Sequence, residues 1–261
     1  MNRTQYAIFE ICMECNLGDI HAKCPNSHSD RYANLPHDKP VSDEQIVETV
    51  TALYRDHGFR GHVGWHYYNE PLVAAERMWR LMDMIDAQTN SEASYTLWTN
   101  GTLLPADCSQ FARFAEIHVT NYRIKDHPVK NLRELVKVVP GTIVQRGRLD
   151  SRLHAIGDKV ATTEPCSRMF TEFIIDYYGN VHLCCYDWKG QGSPGNIHTE
   201  SLGDLIANWQ WIRTLLAAPE SVTPGGQLSC RRCKVRSPYI PEFIPAIAQA
   251  ARRSVEELCH E

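Results

Sequence analysis

Short apolar runs alternate along the first half of the chain with stretches in which apolar residues recur every three or four positions, and this alternation predicts βα units around a parallel sheet. Residues 6–11 predict the first strand. After a long loop a helix begins at Ser42, with Gln45 placed to complete a capping box, Ile46, Val50 and Leu53 on one face, and Gly58 as its stop. Residues 62–67 predict strand two. A helix at 72–85 carries Ala75, Met78, Met82 and Ile85 on one side, and strand three at 95–98 runs into an Asn100-Gly101 turn. Residues 117–120 and 142–145 complete at least five strands, with a helix at 131–138 between the last two.

The alternating part, residues 1–155, is too short for a complete eight-stranded barrel, which takes about 250 residues. An α/β fold with an open, partial (β/α) TIM-type barrel fits the length better. Beyond it the pattern changes. Residues 172–176, a Tyr178-Gly179-Asn180 turn and residues 181–184 predict a β-hairpin, because Gly-Asn supplies the positive φ values of such a turn. A helix at 202–216 follows, Pro-Gly-Gly at 224–226 marks a loop, and 243–258 predicts a last helix. The chain thus divides into a barrel at 1–155, a small C-terminal β-hairpin plus helix domain at 156–240, and a terminal helix at 241–261.

At 261 residues, with 43% hydrophobic and 22% charged residues, the chain can bury a sizeable core and is not a disordered one. A net charge of −4 without any Lys/Arg run gives no general attraction for nucleic acid or an anionic membrane. Residues 1–15 lack a secretory signal, and no apolar run approaches the roughly 18 residues of a membrane span. A cytoplasmic location follows as the expectation. Ten cysteines in a reducing compartment point to metal ligation ahead of disulfides.

The cysteines fall into two groups. Strand one runs into Cys12-Met-Glu-Cys15-Asn16-Leu17, and Cys24-Pro25 closes the same loop. Three thiolates at the C-terminal mouth of a parallel barrel can hold three irons of a four-iron cluster and leave the fourth open to a small molecule. A tetrahedral zinc site from Cys12, Cys15, Cys24 and His28 is the competing reading, although His21 and His28 read best as plain loop residues. In the second group twelve residues separate Cys166 from Gly179, four separate Gly179 from Cys184, and Cys230-Arg-Arg-Cys233 completes a set of four. Cys184 and Cys185 are adjacent in the predicted strand, so their side chains face opposite ways and the spacing favours Cys184. A zinc ribbon from the same four thiolates stays open as the structural alternative. Cys108 and Cys259 are assigned to packing or free thiols.

Cys-Asn-Leu leading to Cys-Pro resembles the cluster loop of radical S-adenosylmethionine (radical SAM) enzymes, whose usual form is Cys-x3-Cys-x2-Cys. This chain departs from it: eight residues separate Cys15 from Cys24, and Cys12 stands in front. The resemblance implies that Cys12, Cys15 and Cys24 hold one 4Fe-4S cluster. Asn69-Glu70-Pro71 is similar to the family's Gly-Gly-Glu-Pro segment, which implies that Asn69 and Glu70 meet the ammonium of S-adenosylmethionine. A turn glutamate suited to the dipole of the following helix is the plain alternative for Glu70. Thr99-Asn100-Gly101 is similar to a family segment at the same place, and Asn121, after strand four, would lie near the ribose or simply form a turn. Arg146 and Arg148 follow strand five, where they would grip a substrate oxygen or the cofactor carboxylate, or stand as solvated surface arginines.

The spacing of Cys166, Gly179, Cys184, Cys230 and Cys233 resembles the twitch domain of that family, a short SPASM-like extension holding a second 4Fe-4S cluster. The resemblance implies reductive cleavage of S-adenosylmethionine and hydrogen abstraction from a substrate. Among members of the family, the compact aminocyclitol (2-deoxy-scyllo-inosamine) dehydrogenase of aminoglycoside biosynthesis is the most similar in plan. That implies a small polar sugar, cyclitol or nucleoside as substrate, dehydrogenation, epimerisation or another sugar rearrangement as the reaction, and an electron donor such as flavodoxin or ferredoxin. Two alternatives remain. A peptide-modifying maturase usually carries a leader-recognition domain, which the residues before Tyr6 are too few to form; a zinc or electron-transfer protein would have no use for Glu70.

Overall fold

The computed structural model describes residues 4–18, 21, 24–28, 30–33, 35–122, 129–146, 166, 168–190, 192–217 and 233. In chain order the elements are β1 (Tyr6–Phe9), α1 (Asp43–Arg55), β2 (His62–Gly64), α2 (Ala75–Thr89), β3 (Ser94–Thr99), β4 (Phe114–Asn121), α3 (Val129–Val138), β5 (Ile143–Arg146), the single-turn α4 (Arg168–Thr171), β6 (Glu172–Ile175), β7 (Asn180–His182), β8 (Gly195–Asn196) and α5 (Leu202–Ala217). One sheet of order β5-β4-β3-β2-β1-β6-β7-β8 contains all eight strands. β1 to β5 are parallel neighbours in sequence order, β6 joins the other side of β1 in parallel, and β7 and β8 extend the sheet antiparallel. The partial parallel barrel expected from the alternation is therefore present, and the hairpin strand β6 is built into the same sheet.

Local sequence explains the elements. Ser42 Oγ accepts from Gln45 N at 3.2 Å while Ser42 N donates to Gln45 Oε1 at 3.3 Å, the reciprocal box that starts α1. Gly58, at φ +62°, turns the chain beyond it. The second helix starts at Ala75, three residues after the expected Leu72, because Pro71 has no N–H and residues Pro71–Ala74 close a tighter 3-10 turn first. Strand two ends at Gly64 instead of running to residue 67. Asn69 draws the chain out of the sheet by accepting from Tyr67 N at 2.9 Å and donating to Trp65 O at 3.1 Å. At the hairpin only Gly179 has positive φ, +84°. Asn180 instead begins β7 and binds the Asp176 carboxylate through its backbone and side-chain nitrogens.

Alternation along the strands sorts the side chains onto two faces. Phe9, Val63, Leu97, Ile117, Val119 and Phe173 join the main core with Val50, Leu53, Met78 and Ile85 of α1 and α2. Ile8 and Ile174 face the other way and pack with Cys24, Tyr67, Tyr68 and Trp188 in a smaller cluster. That second face carries the candidate site. Among the described residues, no helix is long and apolar enough to cross a membrane.

Candidate functional site

The strand ends of the parallel sheet open onto a cavity of about 980 Å³, counting the space at its mouth. Cys15, Cys24 and His21 line it from the loop after β1, and Asn69, Glu70 and Asn100 from the loops after β2 and β3. Arg168, Glu172 and Cys185 form the wall on the β6 side. Elements from both halves of the chain therefore share one space.

The cysteine loop is clamped onto the loop after β2. Asn69 Nδ2 donates to Cys12 Sγ at 3.5 Å, Cys12 Sγ donates to Glu70 O at 3.8 Å, and Glu70 N donates to Glu14 O at 2.9 Å. Burial pushes the Cys15 thiol up to about 11; the hydrogen bond from Leu17 opposes this, and the charges of Glu70, Cys24 and Cys12 add to it. Burial likewise raises Cys12. The Cys12 and Cys24 sulfurs lie close enough to Cys15 to disfavour its charge, which a bound metal centre would relieve because it holds thiolates deprotonated. Among the described residues no three His, Cys, Asp or Glu side chains gather tightly enough to share one ion.

Glu70 is 2% exposed. Its carboxylate accepts from Thr99 Oγ1 at 2.7 Å, Asn100 N at 2.8 Å and Leu72 N at 3.1 Å. Burial raises its pKa against the pull of those three donors. The bond from Leu72 N is the helix-start arrangement anticipated as the plain alternative, and the cavity contact coexists with it. Asn100 locks two loops together, since its Nδ2 donates to Asn16 Oδ1 at 2.9 Å while Asn16 Nδ2 donates to Thr102 Oγ1 at 2.7 Å. Asn121 closes β4 between Thr120 and Tyr122, which line the cavity while it does not. Arg146 closes β5 opposite Asn121 in register. Arg148, Cys230 and Cys259 lie outside the described residues, as does the helix expected at 243–258.

Cys166 and Cys233 are partly buried. Cys184 and Cys185 lie beyond β7, in a turn closed by Asp187 N donating to Cys184 O at 3.0 Å, and not side by side in a strand as expected. Their roles still separate. Cys184 is buried at 8% exposure, whereas Cys185 faces the cavity and accepts from Arg168 Nη1 at 3.2 Å. Behind them His182 bridges Asp176 Oδ2 and Asp187 O, each at 2.9 Å. Both of its ring nitrogens face oxygen atoms; burial opposes its charge, but the hydrogen bond and charge of Asp176 outweigh it and raise its pKa.

Sequence reasoning missed Arg168, Glu172 and Cys185 as lining residues, and it missed a stack of His66, Trp98 and His118. The indole lies 4.3 Å from the first imidazole and 4.2 Å from the second, on the inner face of the sheet. The spacing of Trp98 and His118 within their own strands carried no sign of this, because the stack depends on the register between strands.

Residues 166–234 match the SPASM family, an iron-sulfur cluster-binding domain. The whole fold is similar to BtrN in complex with AdoMet and 2-DOIA, at 19% identity and a TM-score of 0.67, covering 89% of this chain and 93% of that one. It is also similar to anSMEcpe with bound AdoMet, at 14% identity and a TM-score of 0.55, covering 97% and 92% of the two chains. A search of curated protein sequences finds no match. The SPASM match bears out the likeness drawn from the second cysteine group, and the shared fold bears out the partial barrel expected over the rest.

Proposed function

We propose that this chain is a radical SAM enzyme with two 4Fe-4S clusters, acting on a small polar sugar, cyclitol or nucleoside by dehydrogenation, epimerisation or a related rearrangement. The observation that carries the reading is the single cavity lined by Cys15, Cys24, Asn69 and Glu70 at one end and by β6 and Cys185 at the other. When bound, the N-terminal cluster would supply the electron for reductive cleavage of S-adenosylmethionine, and that cofactor would supply the means of hydrogen abstraction from the substrate. Cys12, Cys15 and Cys24 would hold that cluster, and Cys166, Cys184, Cys230 and Cys233 the second. Glu70 and Asn69 orient the cofactor's ammonium, and the Asn100–Asn16 clasp keeps the two loops at a fixed separation. Asn121 would serve the ribose, and Arg146 with Arg148 a substrate oxygen.

Residues 1–155 would then form the catalytic barrel, 156–240 the twitch domain and 241–261 a terminal helix. Ten cysteines read as metal ligands suit a cytoplasmic enzyme fed by flavodoxin or ferredoxin. Anaerobically purified protein is expected to be brown, with iron and sulfide near eight per chain by the two-cluster arithmetic, and to release 5′-deoxyadenosine from S-adenosylmethionine on reduction. Colourless, zinc-loaded protein without that release would end the proposal.

A further inference from the structure

The eight residues between Cys15 and Cys24 make this loop longer than the family's usual form, and its two ends need a fixed relation if the sulfurs are to keep their spacing. A single guanidinium supplies that relation. Arg31 Nη2 donates to both oxygens of Glu10, at 2.6 and 2.5 Å, and Arg31 Nη1 donates to Asn26 Oδ1 at 2.9 Å. Glu10 lies just ahead of Cys12 and Asn26 just beyond Cys24, so one side chain spans the whole cysteine loop. The Arg31 and Glu10 side chains are 3% and 0% exposed. Rings of Tyr32, Tyr67 and Tyr68 stand 4.8, 5.5 and 4.8 Å from the guanidinium carbon and fix its plane.

Glu10 also reaches the other loops of the cavity. Its Oε1 accepts from Tyr68 N at 3.1 Å, just before Asn69 and Glu70, and its Oε2 accepts from Tyr177 N at 3.2 Å in the β6–β7 turn. A buried ion pair gives little net stability, because desolvation offsets its attraction; its best-attested use is to specify register. The planar fork of arginine, unlike an ammonium, sets direction as well as distance.

Resting on the function proposed above, we infer that Glu10 and Arg31 form a positioning pair that holds Cys12, Cys15 and Cys24 at cluster spacing across the lengthened loop. The pair touches no reacting atom and acts only through the loop ends and Tyr68. Reconstituted full-length protein tests it, comparing wild type with the Glu10→Gln/Arg31→Met double variant. The double variant removes both charges together and leaves neither buried alone.

The double variant is expected to unfold near the wild-type midpoint, to fall from about eight to about four irons per chain, and to lose the change that S-adenosylmethionine causes in the electron paramagnetic resonance spectrum. The signal of the C-terminal cluster should persist. Arg31→Lys should recover only part of the lost iron. Full iron with a spectrum that still responds to S-adenosylmethionine would overturn the inference, and so would equal loss from both sites. If the double variant does not fold, Arg31→Lys decides: selective loss at the first site supports positioning, and an unchanged spectrum refutes it. Wild-type protein without any response to S-adenosylmethionine would remove the underlying proposal, and the inference with it.

Discussion

The two cysteine regions are held in place by different kinds of contact. Around Cys12, Cys15 and Cys24 the braces are long-range: Glu10 to Arg31, Tyr68 and Tyr177, Asn69 to Cys12, and Asn100 to Asn16. Around Cys184 a local set of braces stands out, since Asp176, Asn180, His182 and Asp187 are hairpin neighbours that bind one another, with Asn180 to Pro36 O and Tyr68 to Cys185 O as ties to distant segments. A locally braced site needs a short stretch of sequence to be right. The long-range one needs several loops to arrive together, and a single buried change there is felt by all of them.

Cutting out a ligand sharpens the contrast most. Cys12→Ala, Cys15→Ala or Cys24→Ala should abolish 5′-deoxyadenosine release, assayed by chromatography, while the protein keeps about half its iron. Cys184→Ala should strip the other half and leave some uncoupled release. Full activity in Cys12→Ala would remove that residue from the ligand set.

Arg31→Met alone comes next, because it leaves the Glu10 carboxylate buried without its cation. Breaking one partner of such a pair costs about 3–5 kcal/mol, read as a lower midpoint in denaturant. A loss under about 1 kcal/mol would show that the braces of the first region are weaker than their burial implies.

Gly179→Ala probes the local side. At φ +84° a side chain is strained, and its Cβ would meet Ile197 Cγ1 at 2.9 Å. A loss of roughly 1–3 kcal/mol is expected, with iron lost from the C-terminal site first. Iron lost first from the N-terminal site would erase the distinction between the regions.

The smallest effect is one of pH. Burial would raise the Asp43 carboxyl, but the bonds from Arg77 and Arg80 outweigh it and hold the group below its ordinary 3.8. Stability from this pair is therefore fully present above pH 3.8 and is lost as pH falls through the lowered value. Screening at this partly exposed site keeps it to about 1 kcal/mol or less. Asp43→Asn should flatten that part of the stability profile, and because Arg77 also donates to Ile11 O, the change should reach the cysteine loop faintly.

Legibility in the sequence follows the same divide. The Ser42–Gln45 box, Gly58, Gly179 and the apolar faces of α1 and α2 were readable because each depends on residues a few positions apart. Glu70 was readable as a cavity residue from its place after strand two. Arg31 was not, since an arginine in a polar loop ordinarily belongs to solvent, and only the meeting of distant Glu10, Tyr67 and Tyr68 with the adjacent Tyr32 buries it. The Trp98 stack stayed hidden for a similar reason, as its other rings come from β4 and from the loop after β2. Cys185 was set aside on strand alternation, and the turn after His182 is what lets it face the cavity.

Because β6 lies against β1 on the side away from β2, β1 is an interior strand only while the whole chain is present. Severing the protein near residue 155 would uncover one flank of β1 and leave a row of amides and carbonyls bare. Such a row is a template for another polypeptide, so the N-terminal fragment should self-associate, and adding back the missing piece in trans should compete with that clumping.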